Sequence, residues 1–147
     1  MRNRLLRRFC LAAAVLFIAA TGCGRKSYSV GQVNGVITMN GKPLNSVLIQ
    51  FMPDPQKKSK GPTSTAETGA DGKFHLQYVV PGRTSRNDGA AVGWHRVTIA
   101  DLLQQPAPQG QAPKPSRIPD QYREVNNTPL RVEVKSGQQT VELSVEP

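Results

Sequence analysis

The residue best placed for chemistry near the start of the chain is Cys23. It follows four arginines, an apolar run from Phe9 to Ala20 and the small pair Thr21-Gly22. The apolar run is too short to span a bilayer, and a basic start, a short apolar run and small residues together are typical of a bacterial export signal. We predict that residues 1–22 are a signal peptide.

Cys23 itself resembles the cysteine of a lipobox, the site at which bacteria attach a diacylglyceryl group to the thiol and cleave the chain directly before it. Thr21 and Gly22 fit this pattern, whereas Ala20 stands where Leu or another aliphatic residue is usual. The resemblance implies a lipoprotein held on a membrane through Cys23. Two alternatives stay open, namely plain secretion with cleavage after Ala20, which leaves a free thiol, and an uncleaved anchor.

The residues that could catalyse a reaction are scattered along the rest of the chain. His75 and His95 lie on separate predicted strands, where His75 faces outward and His95 faces the core side, so they are not expected to converge on one metal. The chain has no Gly-x-Ser-x-Gly motif, no paired carboxylates and no cysteine after Cys23. We therefore expect a protein that is not an enzyme, with no catalytic residue, no cofactor and no metal site.

Binding is the remaining class of activity. Trp94 is the only tryptophan, and strand parity turns it away from the core, where its indole could stack on a sugar ring or contact a protein. The alternative is that it only covers an edge of the fold. Arg83 and Arg86 could bind anionic groups of surface polymers. Two hypotheses follow: a module that contacts an envelope protein or surface polysaccharide, and a carbohydrate-binding module that uses Trp94.

The charge of the chain does not indicate nucleic-acid binding. Four of its 19 basic residues and none of its 10 acidic residues precede Cys23, so the net charge of +9 falls to +5 without the signal. The basic residues are spread out, and no recognition helix or zinc spacing accompanies them. The one cluster, Lys57, Lys58 and Lys60, is interpreted as a solvated loop.

The elements that must position these residues are short strands. Apolar alternation and turn signals predict seven of them, at residues 32–39, 47–52, 64–68, 73–79, 94–100, 130–134 and 140–145. Asn40-Gly41 and Asp71-Gly72 predict hairpin turns. Seven strands without a substantial helix predict an all-β, Greek-key β-sandwich, and no disulfide is expected in it because the only other cysteine, Cys10, lies in the signal. Five prolines make 104–120 a loop that interrupts the domain.

Three segments in this order resemble the carboxypeptidase-regulatory-like domains, which are transthyretin-like (prealbumin-like) β-sandwiches. They are VNGVITMNGKPL at 33–44, DGKFHL at 71–76 and IPDQY at 118–122, and the last is similar to a bacterial lipoprotein branch. We expect Tyr122 to pin the long loop onto the sandwich by its ring and hydroxyl. The resemblance implies a seven-stranded sandwich at 31–147, usually without catalysis, after a lipidated cysteine and tether at 23–30.

The expected location follows from the signal and Cys23. We predict an exported, membrane-anchored lipoprotein that faces the periplasm or the cell surface. Gly24 follows the cysteine where an aspartate would oppose sorting, so an outer membrane is the expected destination.

Overall fold

The computed structural model describes residues 28–104, 109–112 and 115–146 of the chain. The predicted signal peptide and Cys23 lie outside these residues. Within them the structure contains a single turn of 3-10 helix, Pro55–Lys57, and one short α-helix, α1, Asp120–Arg123. The strands are β1 Val30–Met39, β2 Lys42–Pro43, β3 Val47–Pro53, β4 Ser64–Glu67, β5 Lys73–His75, β6 Gln77–Val79, β7 Arg86–Asp88, β8 Ala90–Ala91, β9 Gly93–Asp101, β10 Arg131–Val134 and β11 Gly137–Val145.

Strand β1 is the centre of the first sheet. Along one side it pairs in parallel with β11, from Gly31 opposite Gly137 to Met39 opposite Val145. Along its other side it pairs with three short antiparallel strands, β8, β5 and β2. The hairpin to β2 turns at Asn40 and Gly41, whose φ angles of 53° and 73° are the left-handed values that this residue pair tolerates.

The second sheet is antiparallel throughout, in the order β10-β9-β3-β4-β6-β7. The two sheets pack face to face, which confirms the predicted all-β sandwich. The predicted number of seven strands is wrong, because the chain also forms the short strands β2, β7 and β8 and because 73–79 is two strands. At Leu76 the chain passes from the first sheet to the second, and it passes back after β7.

The core lies between the sheets and is built by the expected alternation. Val47, Ile49 and Phe51 of β3 are fully buried, and so are Val97 and Ile99 of β9. Burying an aliphatic or aromatic side chain of this kind contributes roughly 1.5–3 kcal/mol relative to exposure. The inward positions of β1 and β5 join them, and the ring of Phe74 fills the space in which a side chain at position 35 would stand. Glycine at position 35 is therefore a packing requirement.

Helix α1 and the end of the proline-rich segment are fastened to the sandwich by two contacts. Tyr122 is buried in the core, and its hydroxyl accepts a hydrogen bond from the backbone N–H of Glu146 at 3.1 Å, as its predicted pinning role requires. Arg117 donates to both carboxylate oxygens of Asp101, at 2.6 and 2.9 Å, and to the carbonyl of Asn45. The hydrogen bonds from Arg117 lower the pKa of Asp101.

Candidate functional site

A cleft of about 330 Å³ opens beside Trp94 at the start of β9. Trp94 is 37 % exposed, as strand parity predicted. The loop that carries the lysine cluster also lines this cleft, and the ammonium of Lys57 lies 5.9 Å from the centre of the indole ring. Lys57, Lys58 and Lys60 are exposed, as a solvated loop requires, and they line one cleft together with Trp94.

The geometry of this loop is set by Asp54. Its carboxylate accepts a hydrogen bond from the N–H of Gln56 at 3.0 Å and so caps the 3-10 turn, which Pro55 begins. Its own N–H donates to the carbonyl of Trp94 at 2.8 Å, and its carbonyl accepts from Lys57 and Ser59. One residue therefore joins the lysine loop directly to the strand that carries the indole.

Asp54 is in turn held by a buried ion pair. Its side chain is 4 % exposed and lies 3.2 Å from the Nε of Arg96, whose own side chain is 10 % exposed. Arg96 also donates to Asn126, and the Nε of Arg131 lies 3.9 Å from the second carboxylate oxygen of Asp54. The negative charge of Asp54 is thus compensated by arginines below the surface. Asp54 therefore adds no exposed negative charge to the cleft.

Tyr28 completes the cleft and lies five residues after Cys23. Its ring packs edge-on against Tyr78, with 6.4 Å between the ring centres, and Ser29 accepts a backbone hydrogen bond from Val92. The first described residues are therefore fixed to the sandwich, in contact with the Trp94 cleft. No spacing in the sequence indicated this contact.

The charges are unevenly placed between the two ends of the sandwich. We name the end at which β1 and β9 begin the Tyr28 end; three loops lie there, at 54–63, 80–85 and 135–136. Their only acidic residue is the buried Asp54, and their basic residues are Lys57, Lys58, Lys60, Arg83 and Lys135. Glu133 of β10 is exposed and lies beyond these loops, where it pairs with Trp94 across the two strands. The Tyr28 end is consequently cationic.

Arg83 and Arg86 do not line the Trp94 cleft. Arg83 is exposed in the loop after β6, and Arg86 lines a separate cleft of about 420 Å³ with Glu67, His75 and Gln77. The structure therefore places these two predicted contact residues at the Tyr28 end but outside the site formed by Trp94.

His75 faces outward, as predicted, and bridges the two sheets. Its Nδ1 lies 2.6 Å from the Oδ1 of Asn34, and its Nε2 lies 3.2 Å from the Oδ1 of Asp88, which also accepts from Gln77. The hydrogen bonds from Gln77 and then His75 lower the pKa of Asp88. Both ring nitrogens therefore contact oxygens of neighbouring side chains, so His75 has a structural role in joining the two sheets.

His95 is fully buried on the core side of β9, which confirms its predicted orientation. Its Nδ1 lies 2.9 Å from the carbonyl of Gly93, its ring packs near Phe51, and its Nε2 has no hydrogen-bond partner among the described residues. Burial lowers the pKa of His95 from its ordinary value of 6.5. Among the described ranges, no three His, Cys, Asp or Glu residues are grouped so that they could hold a metal ion.

The buried His95 predicts a pH-dependent stability. Its folded-state pKa is lowered, so the unfolded chain binds the proton more readily, and the free energy of unfolding should fall as the pH drops below about 6.5. Urea unfolding at several pH values measures this. His95→Phe should remove much of the dependence, whereas His75→Gln, a change at an exposed histidine, should keep it. If the free energy of unfolding depends on pH equally in His95→Phe and in the unchanged protein, His95 is not the cause of the dependence.

No helix in the described part of the chain has the length and apolar character needed to cross a membrane. Comparisons of the chain with protein-family models, with curated proteins and with solved structures found no significant match.

Proposed function

We propose that this chain is a lipid-anchored, non-catalytic β-sandwich module of the cell envelope that acts through contacts at its surface. The supporting observation is the short distance along the chain between Cys23 and the fold. Five residues span at most roughly 18 Å when fully extended, and Tyr28 is already packed against Tyr78. A lipid on Cys23 would therefore hold the sandwich directly against a bilayer.

The cysteine content and the histidines support the same proposal. Both cysteines of the chain, Cys10 and Cys23, precede the described residues, so the sandwich offers Cys23 no thiol for a disulfide. A lipid modification gives the residue a role that pairing within the domain does not. The non-catalytic part of the proposal is supported by His75, which bridges two sheets, and by His95, which is enclosed in the core.

Metabolic labelling with an alkyne-tagged fatty acid tests the anchor. The unchanged chain and a Cys10→Ala variant should both incorporate the label, because Cys10 lies in the segment that is removed. Cys23→Ala should not incorporate it. Label that persists in Cys23→Ala, or that is absent from the unchanged chain, would contradict lipidation at Cys23.

The second candidate function is carbohydrate binding, which the exposed Trp94 and the neighbouring Tyr28 favour. A sugar that stacks on this ring would have to displace the ammonium of Lys57, which lies 5.9 Å from the ring centre. A glycan array compares the unchanged chain, Trp94→Ala and the control Leu103→Ala, which removes another exposed apolar side chain. A glycan retained by the unchanged chain and the control but lost in Trp94→Ala would establish this second function instead.

A further inference from the structure

We propose that the Tyr28 end of the sandwich docks on an anionic lipid surface, with Trp94 in the interfacial layer and Lys57, Lys58 and Lys60 against the headgroups. This inference rests on the proposed anchor at Cys23 and adds an orientation to it. A lipid anchor alone leaves the domain free to rotate about its tether. The structure supplies three reasons for one face to be preferred.

The first reason is charge complementarity. The loops at the Tyr28 end carry five basic residues, and their single acidic residue, Asp54, is buried against Arg96. The opposite end carries charges of both signs: Asp71 in the turn before β5 pairs with Lys73 at 2.8 Å, and Glu146 follows β11. A negatively charged bilayer therefore attracts the Tyr28 end, whose charges are basic, more strongly than the end of mixed charge.

The second reason is the reach of the tether. Tyr28 and Ser29 line the Trp94 cleft, and five residues from Cys23 to Tyr28 span at most roughly 18 Å. Surface charges act over a Debye length of about 8 Å at physiological ionic strength. Because the tether emerges at the cleft, the lysines lie close to the bilayer only when the Tyr28 end faces it.

The third reason is the kind of side chains that the cleft presents. Trp94 is 37 % exposed next to lysines, and indole rings favour the boundary between headgroups and acyl chains. Lys57, Lys58 and Lys60 are exposed and form no ion pair with a described residue, so their charges are available to lipid phosphates. Each lysine close to an anionic membrane strengthens the binding of the protein to that membrane about fivefold.

The fluorescence of Trp94 tests the proposal, since it is the only tryptophan in the chain. The mature protein, purified from membranes, is reconstituted into vesicles of phosphatidylcholine alone or of phosphatidylcholine with phosphatidylglycerol, each with a brominated lipid as quencher. We expect stronger quenching and a blue shift in the anionic vesicles, both reversed by high salt. Equal quenching in the two kinds of vesicle would overturn the docking.

Two triple variants with the same loss of charge locate the effect. Lys57→Gln, Lys58→Gln and Lys60→Gln together should abolish the difference between the vesicles. The matched control, Lys42→Gln, Lys73→Gln and Arg123→Gln, changes exposed residues outside the loops of the Tyr28 end and should preserve it. A control that loses the difference as fully as the first variant would show that net charge, not the cleft, determines binding.

Flotation of the same samples separates docking from anchoring. A lipidated chain floats with both kinds of vesicle, whatever the orientation of its domain. A chain that floats with both but shows equal Trp94 quenching overturns only the docking. A chain that does not float with neutral vesicles overturns the anchor and, with it, the docking that rests on it.

Discussion

Asp54→Ala is expected to lower the free energy of unfolding by about 3–5 kcal/mol, because it leaves the charge of a buried arginine without its partner. Asp54 and Arg96 have side chains that are 4 % and 10 % exposed and lie 3.2 Å apart. The variant also loses the cap on Gln56. Urea unfolding followed by circular dichroism measures the change.

The matched control for this prediction is Asp120→Ala. Asp120 is 91 % exposed and pairs with Arg123 on the surface of α1, so its removal should cost at most about 1 kcal/mol. Replacing both buried partners, as Asp54→Leu with Arg96→Met, should recover part of the loss, because neither charge then remains buried. A cost for Asp54→Ala no larger than that of the control would contradict the buried pair.

Cys23→Ala is expected to abolish processing of the precursor as well as its lipidation. Cleavage directly before a lipid-modified cysteine requires that cysteine, so the variant should keep its signal segment and run at the size of the precursor. Under ordinary secretion the cut after Ala20 does not depend on Cys23, and the variant would be processed and released. Immunoblots of the cell and medium fractions distinguish the two outcomes.

Cys10→Ala is the control for processing, because it also replaces a cysteine but lies within the apolar run. The precursor of this variant should be cleaved before Cys23, as in the unchanged chain. A diacylglyceryl group on Cys23 would give stable membrane attachment, because two acyl chains hold a protein on a bilayer whereas one chain alone binds only marginally. The lysines at the Tyr28 end would add at most about 1 kcal/mol each and cannot replace the lipid.

Local patterns were sufficient to predict much of the core and the hairpin at Asn40-Gly41. Asp71-Gly72 also forms a turn, but the prediction of a hairpin there is wrong, because the flanking strands β4 and β5 lie in different sheets. The alternation of Val47, Ile49 and Phe51 predicted their burial, and Asn40-Gly41 predicted a hairpin that the structure confirms. The alternation of side chains along a strand also predicted that Trp94 faces outward and His95 faces inward, as the structure shows. These features depend on the two-residue period of a strand and on left-handed turn conformations, both of which are properties of short sequence segments.

Features that depend on distant parts of the chain were not predictable in this way. The crossing between sheets at Leu76 leaves the alternation of 73–79 unbroken, so one strand was predicted where two exist. The contact of Lys57 with Trp94 and the pair of Asp54 with Arg96 join the loop after β3 to β9. The Asp54-Pro55 pair is a local cap signal that could have predicted the 3-10 turn, but no local signal identifies Arg96 as its partner.

The proposed anchor at Cys23 can be examined by mass spectrometry of the N-terminal peptide of the protein extracted from membranes. We expect a peptide that begins at Cys23 and carries a diacylglyceryl group on its sulfur. An unmodified N-terminus at Thr21 or at Cys23 would contradict it.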